Sequence, residues 1–163
     1  MQGGKKNYAP QRNKSMTRKC GDCTGCCEGW LRAVIGGKEM SPGQPCQFLD
    51  KTCTIYDKRP KNPCQDYVCA WLSGELPMSL KPNFVKLIVS KKRYKNIEYY
   101  DATEAGKKIT APVLNELIQW AHKNKKNLLY RMQDQAYTIG TEEFMALQNE
   151  ILKSYDKIIN TKR

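Results

Sequence analysis

After Cys69 the chain has no cysteine, and its 163 residues include a single histidine, His122. It also lacks any stretch approaching the roughly 20 apolar residues that cross a bilayer, which excludes a helical membrane span. The opening residues, MQGGKKNYAPQRNKSMTRK, are basic and have no apolar h-region, so they do not read as a secretory signal. The expected compartment is therefore the reducing cytoplasm, where disulfides are rare. No nucleophile–base pair and no paired carboxylates stand out, and there is no internal repeat. Acid is scarce as well: 16 Asp and Glu face 28 Lys and Arg, a formal charge of +12. Lys and Arg displace counterions from phosphates, so this excess raises nucleic acid or an acidic protein as a partner.

What the chain does have is thiol, and early. KCGDCTGCC, residues 19–27, holds Cys20, Cys23, Cys26 and Cys27; Cys46, Cys53, Cys64 and Cys69 follow. Disulfides would need an oxidising compartment and a separate distant partner for each of the adjacent Cys26 and Cys27. Free core cysteines, which behave as small hydrophobes, would not crowd into a Gly-rich loop. The metal reading has a positive argument. Soft thiolates select zinc, copper(I) and iron–sulfur clusters. A Cys-x2-Cys step lets one turn aim two sulfurs at one ion, and Gly21 and Gly25 give the backbone room to curl. Cys20, Cys23 and Cys26 extend that step to three ligands, a spacing seen in iron–sulfur loops whose fourth ligand comes from afar. Consecutive side chains in a loop diverge, so Cys27 is expected to face a second site. The eight would then divide four and four, as two closed sites or as one cluster plus one zinc. With two zinc ions so bound, net charge falls to about +8. His122 sits in a Lys-rich segment and reads as a surface residue rather than a ligand.

Along the chain, residues 1–18 read as a flexible basic arm, 19–83 as the cysteine-cluster metal-binding region, and 84–163 as an α+β region packed on it. Residues 19–72 are rich in Gly and Pro and poor in apolar residues, so burial alone would struggle against their ordering entropy. A structural zinc site, at about 10–16 kcal/mol, could supply the difference. In the second half, NFVKLIVS (83–90) and YKNIEYYD (94–101) form an expected hairpin around KKR. A helix is expected over 110–124, with Thr110 as cap and Leu114, Leu117, Ile118 and Ala121 on one face. NLLYRM and QAYTIG suggest two strands around Asp134. A last helix runs from about Glu142, capped by Thr141, with Phe144, Leu147, Ile151, Tyr155 and Ile158 on one stripe. The fold class is α+β: a loop-rich cysteine cluster followed by a small antiparallel sheet with two amphipathic helices.

C-x2-C-x2-C-C, followed by GQPCQFLDKTCTIYDKRPKNPCQDYVC, resembles the bacterial family of zinc- or iron-chelating proteins named for its CxxCxxCC cluster, the YkgJ-like proteins. The family's eight cysteines fall on Cys20, Cys23, Cys26, Cys27, Cys46, Cys53, Cys64 and Cys69, and its Ile-Tyr-x-x-Arg-Pro signature on Ile55, Tyr56, Arg59 and Pro60. CAWLSGELPMSLKPN (69–83) extends the likeness. The resemblance implies metal binding, zinc or iron–sulfur, and in some relatives oxidoreductase activity. Others are described as flagellin lysine N-methylases. That reading transfers poorly, because those enzymes are longer and no Gly-rich turn between strand and helix suggests a methyl-donor site here; Gly36-Gly37 alone is a weak signal.

Read physically, Pro60 and Pro63 stiffen the approach to Cys64. Arg59 is placed to donate hydrogen bonds to cysteine sulfurs or a backbone carbonyl, offsetting thiolate charge; the alternative is an exposed arginine in a turn. Tyr56 reads as packing, and Asp22, Glu28, Asp50, Asp57 and Asp66 as solvated loop charges. The alternative function is a zinc-stabilised nucleic-acid adaptor using Lys91, Lys92, Arg93, Lys123, Lys125 and Lys126, with Tyr94, Tyr99, Tyr100 and Tyr130 for stacking. Those tyrosines alternate with apolar strand residues, which favours sheet packing for most of them.

Overall fold

The computed structural model describes residues 18–160, with side chains through residue 157. The expected arm therefore lies outside the described residues, apart from Arg18, and Arg18 corrects its boundary. Its guanidinium donates to the carbonyls of Trp71 (2.7 Å) and Leu76 (2.8 Å) and lies 5.1 Å from the Trp71 ring centre. Two satisfied carbonyls and a cation–π contact tie this residue to the folded body.

From Cys26 to Trp30 the chain makes one wide helical turn, kinked at Gly29. A short hairpin follows, β1 (Ala33–Ile35) and β2 (Lys38–Met40). Gly36 and Gly37 form its two-residue turn, with φ of +58° and +78°, a pairing that suits the twist of tight hairpins. The diglycine is thus hairpin punctuation inside a segment expected to be loops. Single helical turns at Tyr56–Lys58 and Lys61–Gln65 lead to Cys64.

Residues 69–80 contribute Cys69, Ala70, Trp71, Leu72, Leu76 and Leu80 to the main core. A further turn at Pro82–Val85 (α1) ends at Lys86, and β3 (Leu87–Tyr94) begins beyond it. Asn83–Val85, expected as strand, are therefore helical, because Pro82 opens a helical turn. β3 pairs antiparallel with β4 (Ile97–Glu104). The turn between them is Lys95-Asn96 rather than Lys91–Arg93. Those three basic residues belong to β3, whose period-2 alternation carries Lys92 opposite Tyr99.

Helix α2 (Ala111–Lys123) comes next, with Pro112 in its first turn; Thr110 stands at its N-cap without a side-chain capping bond. β5 (Leu128–Met132) and β6 (Gln135–Ile139) form the second hairpin of the four-stranded sheet, turning at Gln133 and Asp134, both with positive φ. The last helical stretch divides at Leu147 into α3 (Glu142–Ala146) and α4 (Gln148–Asn160). Thr141 does cap it, accepting from the Phe144 amide. The side chain of Ile158 lies outside the described set.

The sheet order is β3-β4-β5-β6. Both hairpins are antiparallel, but the central β4–β5 pair runs parallel, since α2 serves as the crossover between them. The α+β class holds, with a mixed sheet. One face, bearing Tyr99 and Leu129, lies under Phe144 and Ile151 of α3 and α4. The other, bearing Tyr100 and Leu128, lies under Leu117, Trp120 and Ala121 of α2 and the 69–80 segment. β3 is an edge strand, and the Ala70 amide donates to the Val89 carbonyl at 2.8 Å. The chain that follows the last cysteine thus covers that edge.

Candidate metal centre

All eight cysteines are free thiols. Core packing places six of them in two groups, and electrostatic neighbours add the other two. Cys20 and Cys26 pack against the main core, which includes buried Cys69. Cys27 and Cys64 pack against a separate small cluster of Ile35, Met40 and Cys46. The electrostatic surroundings complete both sets. Burial pushes the Cys26 thiol well up, reinforced by Cys69, Cys27, Cys23 and Cys20. Burial likewise raises Cys69, with Cys20 and Cys23 adding to it against the backbone amides of Leu72 and Trp71. Cys27 is pushed up to about 12, by burial first and then by Cys53, Cys46, Cys64 and Cys20. Cys64 is raised by burial, Cys46 and Cys53, and Arg59 opposes them. The first set is thus Cys20, Cys23, Cys26 and Cys69, and the second is Cys27, Cys46, Cys53 and Cys64.

The local backbone explains the division. The Cys23 amide bonds to the Cys20 carbonyl at 2.9 Å, closing the Cys-x2-Cys turn. Cys26 and Cys27 sit on one helical turn, where neighbouring side chains point about 100° apart, so each faces its own set. The Cys46 amide donates to the Cys27 carbonyl at 2.8 Å, and the Leu49 amide to the Cys46 carbonyl at 3.0 Å. Leu49 bridges Cys53. Gly29 makes this close approach possible. Its φ is +92°, and a Cβ there would stand 2.1 Å from the Ser41 carbonyl oxygen.

Arg59 lies between the sets. It is partly buried, with its guanidinium 3.9 Å from the Tyr56 ring centre and within electrostatic reach of Cys20, Cys53 and Cys64. Tyr56 does more than pack: its hydroxyl accepts from the Cys20 amide at 3.3 Å. Two carboxylates read as solvated loop charges also prove to be tethers. Asp22 accepts from Lys81 and Asn83, pinning the first loop to α1. Glu28 accepts from the Thr24 hydroxyl (2.6 Å) and the Trp30 indole (3.1 Å). Asp50, Asp57 and Asp66 are exposed, as is His122 on the last turn of α2.

Sequence reasoning missed Arg18, Tyr67 and Asp101. Tyr67, whose hydroxyl lies 2.6 Å from that of Ser90 on β3, stands within reach of Cys26 and Cys69. Its place two residues before Cys69 was the available signal. Asp101 is buried and accepts from Lys92 at 2.6 Å and Arg131 at 2.8 Å. No local sequence pattern announces that cluster.

The donor chemistry suits a thiophilic ion: four soft sulfurs in each set, with Cys26 and Cys69 of the first and Cys27 and Cys64 of the second pushed up by burial, and a guanidinium within reach of both. Among the described residues, no group of three or more Cys, His, Asp or Glu side chains stands arranged as a ready metal-holding set. The stacking residues of the nucleic-acid reading are occupied elsewhere. Tyr99 and Tyr100 are buried, while Tyr94 and Tyr130 pack against the cores. Lys91, Lys92 and Arg93 each face a carboxylate. No helix among the described residues is long and apolar enough to cross a membrane. Comparison with family models, curated proteins and solved structures returned no match for this chain.

Proposed function

We propose that this is a metal-binding protein whose eight cysteines hold zinc, an iron–sulfur cluster, or one of each, at two four-thiolate sites. The observation that supports the reading is the grouping of the thiols: core packing places six of them in two groups of three, and electrostatic neighbourhood adds Cys23 to the first and Cys53 to the second. Binding would draw each set inward and displace its protons, because thiolates rather than thiols are the ligands. Cys20, Cys23, Cys26 and Cys69 would hold one group, and Cys27, Cys46, Cys53 and Cys64 the other. Arg59 would offset part of the negative charge that four thiolates leave on each site. Zinc would supply structural cross-linking, whereas an iron–sulfur cluster would add electron transfer and with it the oxidoreductase activity described for some of the proteins this sequence resembles. Ligation by reduced thiols suits a cytoplasmic protein.

The test is metal content after oxygen-free purification. Brown protein with iron and acid-labile sulfide selects the cluster. Colourless protein with about two zinc ions per chain selects zinc. Polypeptide that is compact and free of both overturns the reading.

A further inference from the structure

The two thiol sets sit in very different surroundings. The first is built into the main core and tied down from several sides. Cys69 belongs to that core and its sulfur accepts from the Leu72 amide at 3.4 Å. Gly25 lies against Ile88 and Pro82, Asp22 is held by Lys81 and Asn83, and Arg18 fastens the chain just before Cys20 to Trp71 and Leu76. Cys69 stays in this set as long as its segment covers the sheet edge through the Ala70–Val89 bond.

The second set has no such support. Its core has only three buried residues, Ile35, Met40 and Cys46, and its hairpin has strands of three residues each, too short to persist alone. Val34 on that hairpin is 59 % exposed. A cleft of about 240 Å³, lined by Lys19, Gly21, Thr52, Cys53, Tyr56 and Asp57, runs beside the chain neighbours of Cys20, and the one thiol among its lining residues is that of Cys53. Few apolar contacts and an open approach mark a segment that opens locally while the rest stays folded.

Resting on the metal-binding reading above, we propose that the sites are unequal: Cys20, Cys23, Cys26 and Cys69 form a permanent, fold-locking site, and Cys27, Cys46, Cys53 and Cys64 form an exchangeable one. The exchangeable site is reached through the cleft at Cys53 by a small thiol or amino-carboxylate ligand, and its opening loosens residues 33–66 without disturbing the four-stranded sheet.

The experiment uses full-length protein loaded with zinc and mixed with a colorimetric zinc chelator and an alkylating agent. Release is expected in two equal phases, the faster by about tenfold or more. Mass spectrometry of the fast phase should find label on Cys27, Cys46, Cys53 and Cys64, with the sheet still protected from hydrogen exchange. A Cys53→Ser variant should keep one zinc and release it only in the slow phase. Loss of both ions in one phase, or fast labelling of Cys20, Cys23, Cys26 and Cys69, overturns the inequality and leaves metal binding standing. Failure to take up zinc at all overturns both.

Discussion

Arg59 and Tyr56 act as a pair at the seam between the thiol sets. The ring supports the guanidinium at 3.9 Å, and the hydroxyl holds the Cys20 amide. Replacing Arg59 with Gln removes the positive charge beside Cys20, Cys53 and Cys64 while keeping a similar stem. Affinity for zinc should fall by about 10–100-fold, the usual range when a group supporting metal ligands is lost. Chelator competition measures it, and unchanged affinity would return Arg59 to an ordinary turn arginine. Asp101 is the other residue with consequences out of proportion to its size. Its carboxylate is 3 % exposed between Lys92 and Arg131, which are 39 % and 34 % exposed. Asp101→Asn should cost about 1–3 kcal/mol, less than a fully buried pair because both cations can turn toward water. Denaturant midpoints at neutral pH check this, and an unshifted midpoint would dismiss the cluster as a stabilising feature.

Among the elements, the kinked turn Cys26–Trp30 matters most, because it sends adjacent cysteines to different thiol sets. Gly29 is the residue that permits it. Gly29→Ala would place a Cβ 2.1 Å from the Ser41 carbonyl at a φ of +92°, forcing the 41–46 loop away from the turn. The cost should exceed about 1 kcal/mol, and bound zinc should fall selectively at the second set, whose Cys46 hangs on the Cys27 carbonyl. Zinc stoichiometry with alkylation mapping distinguishes this from a general loss of fold, and full occupancy of both sites would refute it. The sheet elements were legible because hydrophobic period and turn residues agree: Leu117 and Ala121 are buried on α2, and Thr141 caps where a cap was expected. Boundaries slipped where side-chain type misleads. Lys91–Arg93 has the composition of a turn but occupies a strand whose ion pairs satisfy it.

In the whole molecule, one buried phenol, Tyr100, and two partly buried ones, Tyr67 and Tyr155, set an alkaline limit. Burial, then Cys26, holds Tyr67 above the ordinary phenol range. Burial, then the hydrogen bond to Glu75, does so for Tyr100. Burial, then Asp101, does so for Tyr155. Their folded values are raised, so the fold favours the protonated form. That stability is intact below the unfolded phenol value of about 10 and is lost progressively as pH rises beyond it. Alkaline unfolding should therefore be cooperative, with tyrosinate absorbance rising at the unfolding midpoint. Ionisation of Tyr67, Tyr100 and Tyr155 themselves near pH 10 in a still-folded chain would contradict it.

The sequence by itself determined the fold class and where the thiols lie. All eight cysteines fall before residue 70, and alternation and helical period marked the α+β half, because both are properties of spacing along the chain. Only the tertiary structure decided which of the later cysteines joins each set. Cys69 joins Cys20, Cys23 and Cys26 because its segment covers the edge of β3, while Cys27 turns away on a kinked helical turn toward Cys46. The same holds for Arg18 and Asp101, whose partners lie 53 and 30 residues away for Trp71 and Arg131. Contacts at that separation depend on how layers pack, and no local pattern in the chain encodes them.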